Sequence, residues 1–284
     1  MKKVTLYIPC YNAEQYISDC LDGVLRQTYP IDEILIIDDA STDGTLNIVS
    51  RYPVRIIKHY VNKGLTVSRN TAFKEARNEF VASLDSDCVP TSEWLEKLMG
   101  CFADGIVAGA GGMLIEKYTK NMADQWRKAH MSQHWGDKCI ECPSFLYGSN
   151  TVFRKSVIKS IDFYNEIFKN NGEDVDISQR IYQCGEKLVY ISEALVDHLR
   201  RDTVRSVFET YWNWHAGRYY NKLHSDNCVF RKVAGYMAIQ YETLENIFRK
   251  DLKIGHFLFL FMDFMLIFFF MKLDFKKIIN KLCY

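Results

Sequence analysis

FVASLDSDCVP, residues 80–90, is an apolar run that stops at two carboxylates one residue apart, Asp85 and Asp87, and then at Pro90. A short run rich in Val, Phe and Leu, closed by Asp-Ser-Asp and a proline, reads as a buried strand that delivers acids at its carboxyl end. In an open α/β sheet, ligands sit at that end. Two carboxylates held at a strand-to-loop corner suit a hard divalent ion shared with substrate phosphates. Asp and Ser are also ordinary turn residues, so the pair decides nothing until the rest of the chain is read around it.

Upstream the same pattern recurs. Val4 to Pro9 reads as a short strand, with Asn12 placed to cap a helix from Ala13 to about Gln27 that turns Ile17, Leu21, Val24 and Leu25 to one face. Glu33 to Ile37 is a second buried strand; it ends in Asp38-Asp39 and the turn-forming Ala-Ser-Thr-Asp-Gly, before a helix from about Thr45 to Ser50. One of the two acids is expected to cap that helix. Arg55 to His59 is a third strand, and Asn62-Lys63-Gly64 turns the chain into a helix over Thr66 to Ala76 that leads into the opening strand. Strands alternating with helices in this way predict a parallel, doubly wound sheet.

Composition bounds the reading. A chain of 284 residues, 48% hydrophobic and 25% charged, buries a substantial core and is not disordered. A formal net charge of +1 supplies no field that would favour nucleic acid, which is not an expected partner. Nine scattered cysteines fit a reducing compartment better than a disulfide framework. Only Cys139 and Cys142 form a CxxC, with no second pair to complete a structural zinc site. The N-terminal MKKVTLYIPCYN lacks the apolar region of a signal peptide, so the expected location is cytoplasmic.

Downstream of Pro90, Ser92 is placed to cap a helix through about Phe102. Residues 107–118 carry Ala-Gly-Ala-Gly-Gly before a strand-like Met-Leu-Ile, read as close backbone packing because no phosphate-loop signature is present. Residues 121–137 are polar and aromatic, helical at best, and Phe145 to Phe153 is expected to return to the sheet edge. Gly172-Glu173-Asp174 opens a helix with Val175, Ile177, Ile181 and Cys184 on one face; acids belong at such a helix start on dipole grounds alone. Lys187 to Tyr190 and Ala194 to His198 are the last expected sheet elements, followed by an aromatic-rich helix from Thr203 to about Lys222.

Five words of this sequence, in order and at matching spacing over residues 3 to 200, resemble those of family 2 glycosyltransferases of GT-A fold. They are IPCYN (8–12), DDASTDGT (38–45), NKGLTVSRNTA (62–72), LDSDCVP (84–90) and GEDVDISQRIYQCG (172–185). The resemblance implies a GT-A catalytic domain over 1–200: a Rossmann-like, mostly parallel α/β sheet flanked by helices. Its nucleotide-binding half would be about 1–90 and its acceptor-side half about 91–200, with a helical C-terminal region over 201–284. It implies transfer of a sugar from a nucleoside-diphosphate sugar, UDP-linked by preference, to a hydroxyl of a glycan or lipid-linked acceptor, with inversion. By the same resemblance Pro9, Tyr11 and Asp39 flank the base, Arg69 holds the nucleotide, Asp85 reaches the ribose, and Asp87 ligates Mg²⁺ or Mn²⁺ with His198 as a further ligand. Asp174 is then the general base and Glu173 its companion. A carboxylate suffices there, because the hydroxyl proton leaves as the anomeric bond breaks. Gly148-Ser149-Asn150 resembles the acceptor-side turn, and the absence of a processive QxxRW word points to single transfer.

Phe257 to Met271 (FLFLFMDFMLIFFFM) is apolar all round except for Asp263. It is short for a membrane span, which takes about 20 residues. Arg249, Lys250 and Lys253 precede it and Lys272, Lys276, Lys277 and Lys281 follow. Both flanks prefer the cytoplasmic side, so in-plane or re-entrant attachment at the inner membrane face is expected, with a helix buried against the catalytic domain as the competing reading. A nucleotidyltransferase of related fold and a catalytically silent nucleotide-binding module are the competing functions. The first lacks a basic Gly-rich N-terminal signature, and the second requires that the acids not be assembled together.

Overall fold

β1 (Val4–Cys10), β2 (Glu33–Asp38) and β4 (Phe80–Leu84) are buried at every residue, as strands inside a sheet covered on both faces must be. β3 is Arg55–Lys58, and the four pair in parallel in the order β3-β2-β1-β4. Between them run α1 (Ile17–Leu25), α2 (Thr45–Val49) and α3 (Leu65–Glu75). The computed structural model describes residues 1–103, 105–168, 171–223, 229–255 and 257–282. Cys228 and Cys283 lie outside them, as do the side chains of Lys272, Lys276, Lys277 and Lys281.

Beyond β4 the sheet becomes mixed. The remaining elements are β5 (Cys88–Pro90), α4 (Trp94–Gly100), β6 (Val107–Glu116), α5 (Met122–His130), β7 (Ile140–Glu141), β8 (Asn150–Arg154), α6 (Lys155–Ser160), α7 (Glu173–Gln183) and β9 (Lys187–His198). β8 runs antiparallel between β4 and β6, β6 lies parallel to β9, and β5 and β7 pair antiparallel with β9. Residues 150–154 are therefore interior to the sheet, not at its edge as expected. β9 is one strand rather than two, with a register jump opposite the glycines of β6: Gly112 faces Ile191 while Met113 faces Leu195. A Cβ on Gly112 would stand 2.1 Å from the Ala194 carbonyl oxygen, which is why the small run of β6 is obligatory.

Several expected caps are not the ones used. Asn12 adopts φ +52° and its Oδ1 accepts from the Thr42 amide at 2.8 Å, joining the β1 and β2 loops, while α1 starts at Ile17. Neither Asp38 nor Asp39 caps α2; its N-cap is Gly44, and the Asp43 carboxylate just before it accepts from the Thr45 amide at 3.0 Å. α4 begins at Trp94 with no side-chain cap, so Ser92 is not its cap.

The chain divides into two compact units, 1–118 with 132–200, and 119–131 with 201–284. The first has apolar clusters on both faces of the sheet. The second comprises α5 with α8 (Val204–Leu223), α9 (Val229–Ile254) and α10 (Phe257–Leu282). Its core gathers Trp126, Val207, Phe208, Tyr211, Trp212, Ile247, Phe259, Met262, Leu266 and Phe270. α10 is thus two-faced. Phe259, Met262, Asp263, Leu266 and Phe270 are buried, whereas Phe257, Leu258, Phe261, Phe264, Met265 and Phe268 are exposed. Among the described residues no helix is long and apolar enough to cross a membrane.

Candidate active site

The registers collect the acids at one edge of the first unit. β1, β2, β3 and β4 are parallel, so the residues after Cys10, Asp38, Lys58 and Leu84 share an edge. β8 is antiparallel with Leu84 opposite Asn150, which brings the Gly148-Ser149 turn to that edge. β6 and β9 end there too, with Glu116 opposite His198.

At the corner after β4, the Asp85 amide donates to the Ser149 carbonyl at 3.3 Å and the Cys88 amide to the Asp85 carbonyl at 3.1 Å. That turn fixes the two carboxylates. Asp87 Oδ2 lies 3.2 Å from Nε2 of His198, whose Nδ1 lies 2.8 Å from Glu116 Oε2. Burial opposes the charged imidazole, yet Asp87 and Glu116 carry His198 up to about 9. Burial likewise works against the Asp87 anion, but His198 holds it down at about 2. A hard cation fits here: the Asp87 side chain keeps 22% of its surface exposed, and the imidazole nitrogen beside it is oriented from behind by Glu116.

Arg69 forms the second half of the constellation. α3 buries Thr66, Ser68, Arg69 and Asn70 along with Ala72 and Phe73, so its inner face is largely polar. The Arg69 guanidinium donates from Nη1 to Ser83 Oγ at 2.7 Å, the Gly148 carbonyl at 2.8 Å and Tyr7 Oη at 3.2 Å. Its Nη2 reaches Asp85 Oδ1 at 3.3 Å and its Nε lies 3.6 Å from Glu173 Oε1. The strand-end acid and the helix-start acid are therefore held by one cation. Glu173 is buried with Oε2 unpartnered; burial, then the adjacent Asp174, lifts it to about 7. Asp174 is half-buried, accepts from the Val175 amide at 2.8 Å, and is raised by burial. Gly172, at φ +88°, supplies the left-handed turn that aims both acids.

Tyr11 is exposed at the end of β1 and Pro9 is buried within it. The Asp39 amide donates to the Cys10 carbonyl at 2.8 Å, which seats Asp39 beside Tyr11. Its carboxylate accepts from the Lys63 amide at 2.9 Å and the Gly64 amide at 2.8 Å and lies 2.7 Å from His59 Nδ1. Asp39 thus organises the loop into α3. Sequence reasoning did not single out Glu116, His59, Ser83 or Tyr7. Glu116 and His198 are 82 residues apart and meet only through the β6–β9 register. Cys139 and Cys142 are exposed and free.

A mixed sheet of this order with its acids at one edge defines the GT-A class of nucleotide-sugar folds. The sequence profile of glycosyl transferase family 2 matches residues 5–162, more than half of the chain, and the chain belongs to that family. It is 29% identical over 183 residues to the pre-mycofactocin glycosyltransferase of Mycobacterium tuberculosis, covering 61% of this chain and 38% of that protein. The chain therefore spans about two fifths of the length of that relative. It is 23% identical over 274 residues to glycosyltransferase GlyG of Streptococcus pneumoniae, covering 88% of this chain and 89% of the relative. Among solved structures, the mannosyltransferase PcManGT of Pyrobaculum calidifontis, in complex with GDP-Man and Mn²⁺, superposes with a TM-score of 0.61 at 18% identity. That match covers 86% of this chain and 70% of that one.

Proposed function

We propose that this chain is an inverting glycosyltransferase that moves a sugar from a nucleoside-diphosphate sugar, UDP-linked by the resemblance in its sequence, to a hydroxyl of a glycan or lipid-linked acceptor. The observation that carries the reading is Arg69, a buried guanidinium between Asp85 and Glu173 that binds the strand-end acids and the acids opening α7 into one constellation. A silent binding module would need no such assembly.

In this reading Asp87 and His198 hold Mg²⁺ or Mn²⁺, which when bound neutralises the diphosphate leaving group. Glu116 keeps the His198 ring turned toward Asp87. Pro9, Tyr11 and Asp39 form the base side, with the Tyr11 ring as a flat contact, and Asp85 reaches the ribose. Asp174, the more open of the two acids at α7, takes the acceptor hydroxyl proton. Glu173, closed against Arg69, orients it. The exposed apolar stripe of α10, beside exposed Arg249 and Lys253, is the surface proposed to rest on the inner face of the membrane, where a lipid-linked acceptor is presented.

The test is Asp174→Asn. It is expected to keep donor and metal affinity but lose transfer by about 10²-fold or more, the usual worth of a general base. The product made from an α-linked donor is expected to be β by NMR. A retained α linkage, or near-normal turnover in Asp174→Asn, removes Asp174 from this role.

A further inference from the structure

We propose that the helical unit holds a divalent cation of its own, of the zinc type, between His130, Asp251 and Asp263. These residues come from α5, α9 and α10, and their ligand atoms all lie within 4.8 Å of one another. Asp251 and Asp263 are completely buried and the His130 imidazole is 2% exposed.

The polar atoms there are unsatisfied in a particular way. Both oxygens of Asp251, Oδ2 of Asp263 and Nε2 of His130 are buried without a hydrogen-bond partner among the described residues. His130 Nε2 approaches Asp251 Oδ1 to 2.8 Å but without the alignment of a hydrogen bond. Ionised carboxylates only accept, so two that face each other in an apolar core need either a shared proton or a cation between them. Leaving such anions uncompensated costs several kcal/mol per ion. A dication with two carboxylates and a neutral imidazole sums to zero.

The surroundings are those of a ligating set. Trp126 Nε1 donates to Asp263 Oδ1 at 3.0 Å, which fixes that carboxylate and leaves Oδ2 directed at the cluster. The Trp126 ring lies 4.6 Å from the His130 ring, and Phe259 lies edge-on to the same imidazole at 6.2 Å. Both restrict the plane in which Nε2 points. An outer donor that orients a ligating carboxylate is characteristic of metal sites. One nitrogen and a few oxygens, all buried, suit zinc, which accepts four ligands. Calcium takes six to eight oxygens and magnesium an octahedron with several waters. Zinc bonds of about 2.0–2.1 Å put tetrahedral donors about 3.3 Å apart, inside the span between the 2.8 Å contact and the 4.8 Å limit. The cation would staple three helices that enter the unit from distant parts of the chain.

The experiment uses the full chain carrying Asp87→Asn, so that the strand-end acids do not compete, stripped with chelator and titrated with Co²⁺ or Zn²⁺ alone, without nucleotide. The expected result is uptake of one equivalent per chain, with visible cobalt bands and a shift of the His130 imidazole resonances. Trp126→Phe is expected to weaken that affinity by about 10–100-fold, and Asp251→Asn to abolish it. Trp126→Phe keeps the core filled, so it remains readable even where Asp251→Asn fails to fold. No uptake in the stripped protein, or uptake unaffected by both substitutions, overturns the proposal. No uptake together with a metal-free protein that Asp251→Asn leaves equally stable would show that a shared proton holds the two carboxylates.

Discussion

Replacing Arg69 by methionine tests whether one buried cation holds the two acid clusters together. The substitution keeps the volume of the side-chain stem and removes the guanidinium, with its three neutral hydrogen bonds to Ser83, Gly148 and Tyr7 and its contacts with Asp85 and Glu173. Asp85 keeps 29% of its side chain exposed and recovers part of its solvation from water, so most of the charge cost falls on Glu173, at 5%. Breaking a buried ion pair by removing one partner costs about 3–5 kcal/mol. That cost is avoided wherever Glu173 is protonated. Its carboxyl already sits at about 7, raised by burial and Asp174, and Arg69 is the main group pulling the other way. The acid therefore binds its proton more tightly in the folded than in the unfolded chain, so its burial costs nothing below the unfolded carboxylate range and progressively more as pH rises through about 7. Urea denaturation of Arg69→Met against the parent is expected to show a loss of about 3–5 kcal/mol near pH 8, falling to about 1–3 kcal/mol near pH 5.5, where the lost hydrogen bonds remain. Adding Glu173→Gln to Arg69→Met is expected to recover at least about 1 kcal/mol near pH 8 as a coupling energy. A loss that is the same at both pH values, together with additive behaviour of the double variant, would refute the linkage of Glu173 to Arg69.

Asp87→Asn is expected to abolish Mn²⁺-dependent binding of UDP in calorimetry while the chain stays folded; unchanged affinity would remove Asp87 from the metal site. Gly112→Ala places a methyl group against the Ala194 backbone oxygen and is expected to cost about 1–3 kcal/mol in urea denaturation, the range for overpacking. Wild-type stability in that variant would contradict the register jump of β9. Deleting residues 252–284 removes Phe259, Met262, Leu266 and Phe270 from the second core and is not a clean test of membrane attachment. Serine at exposed Phe261, Phe264 and Phe268 is: each buried Phe side chain is worth about 1.5–3 kcal/mol, so co-sedimentation with anionic vesicles is expected to fall by at least about 100-fold for the triple variant, and undiminished binding rules the stripe out.

The parallel half of the sheet was legible in the sequence because its physics is local. Interior strands must be apolar throughout, so VTLYIP, EILII and FVASL announce themselves, and the acids that interrupt them fall at the sheet edge by construction. α7 with Glu173 and Asp174 at its first turn, and His198 at the end of an apolar strand, were readable for the same reason. α3 was harder, since its inward face is Thr66, Ser68, Arg69 and Asn70, and polar residues facing inward imitate a solvent face until their partners are known. Only the tertiary structure decided the rest. β8 lies between β4 and β6 because antiparallel insertion depends on partners far along the chain. Arg69 meets Asp85 and Glu173, and His198 meets Glu116, through registers that no window of sequence contains. Asp263, the one charge in an apolar run, proves to be a buried carboxylate held by Trp126, 137 residues away. Periodicity reports which face of an element is apolar, whereas what meets a buried charge depends on chain crossings that sequence spacing does not encode.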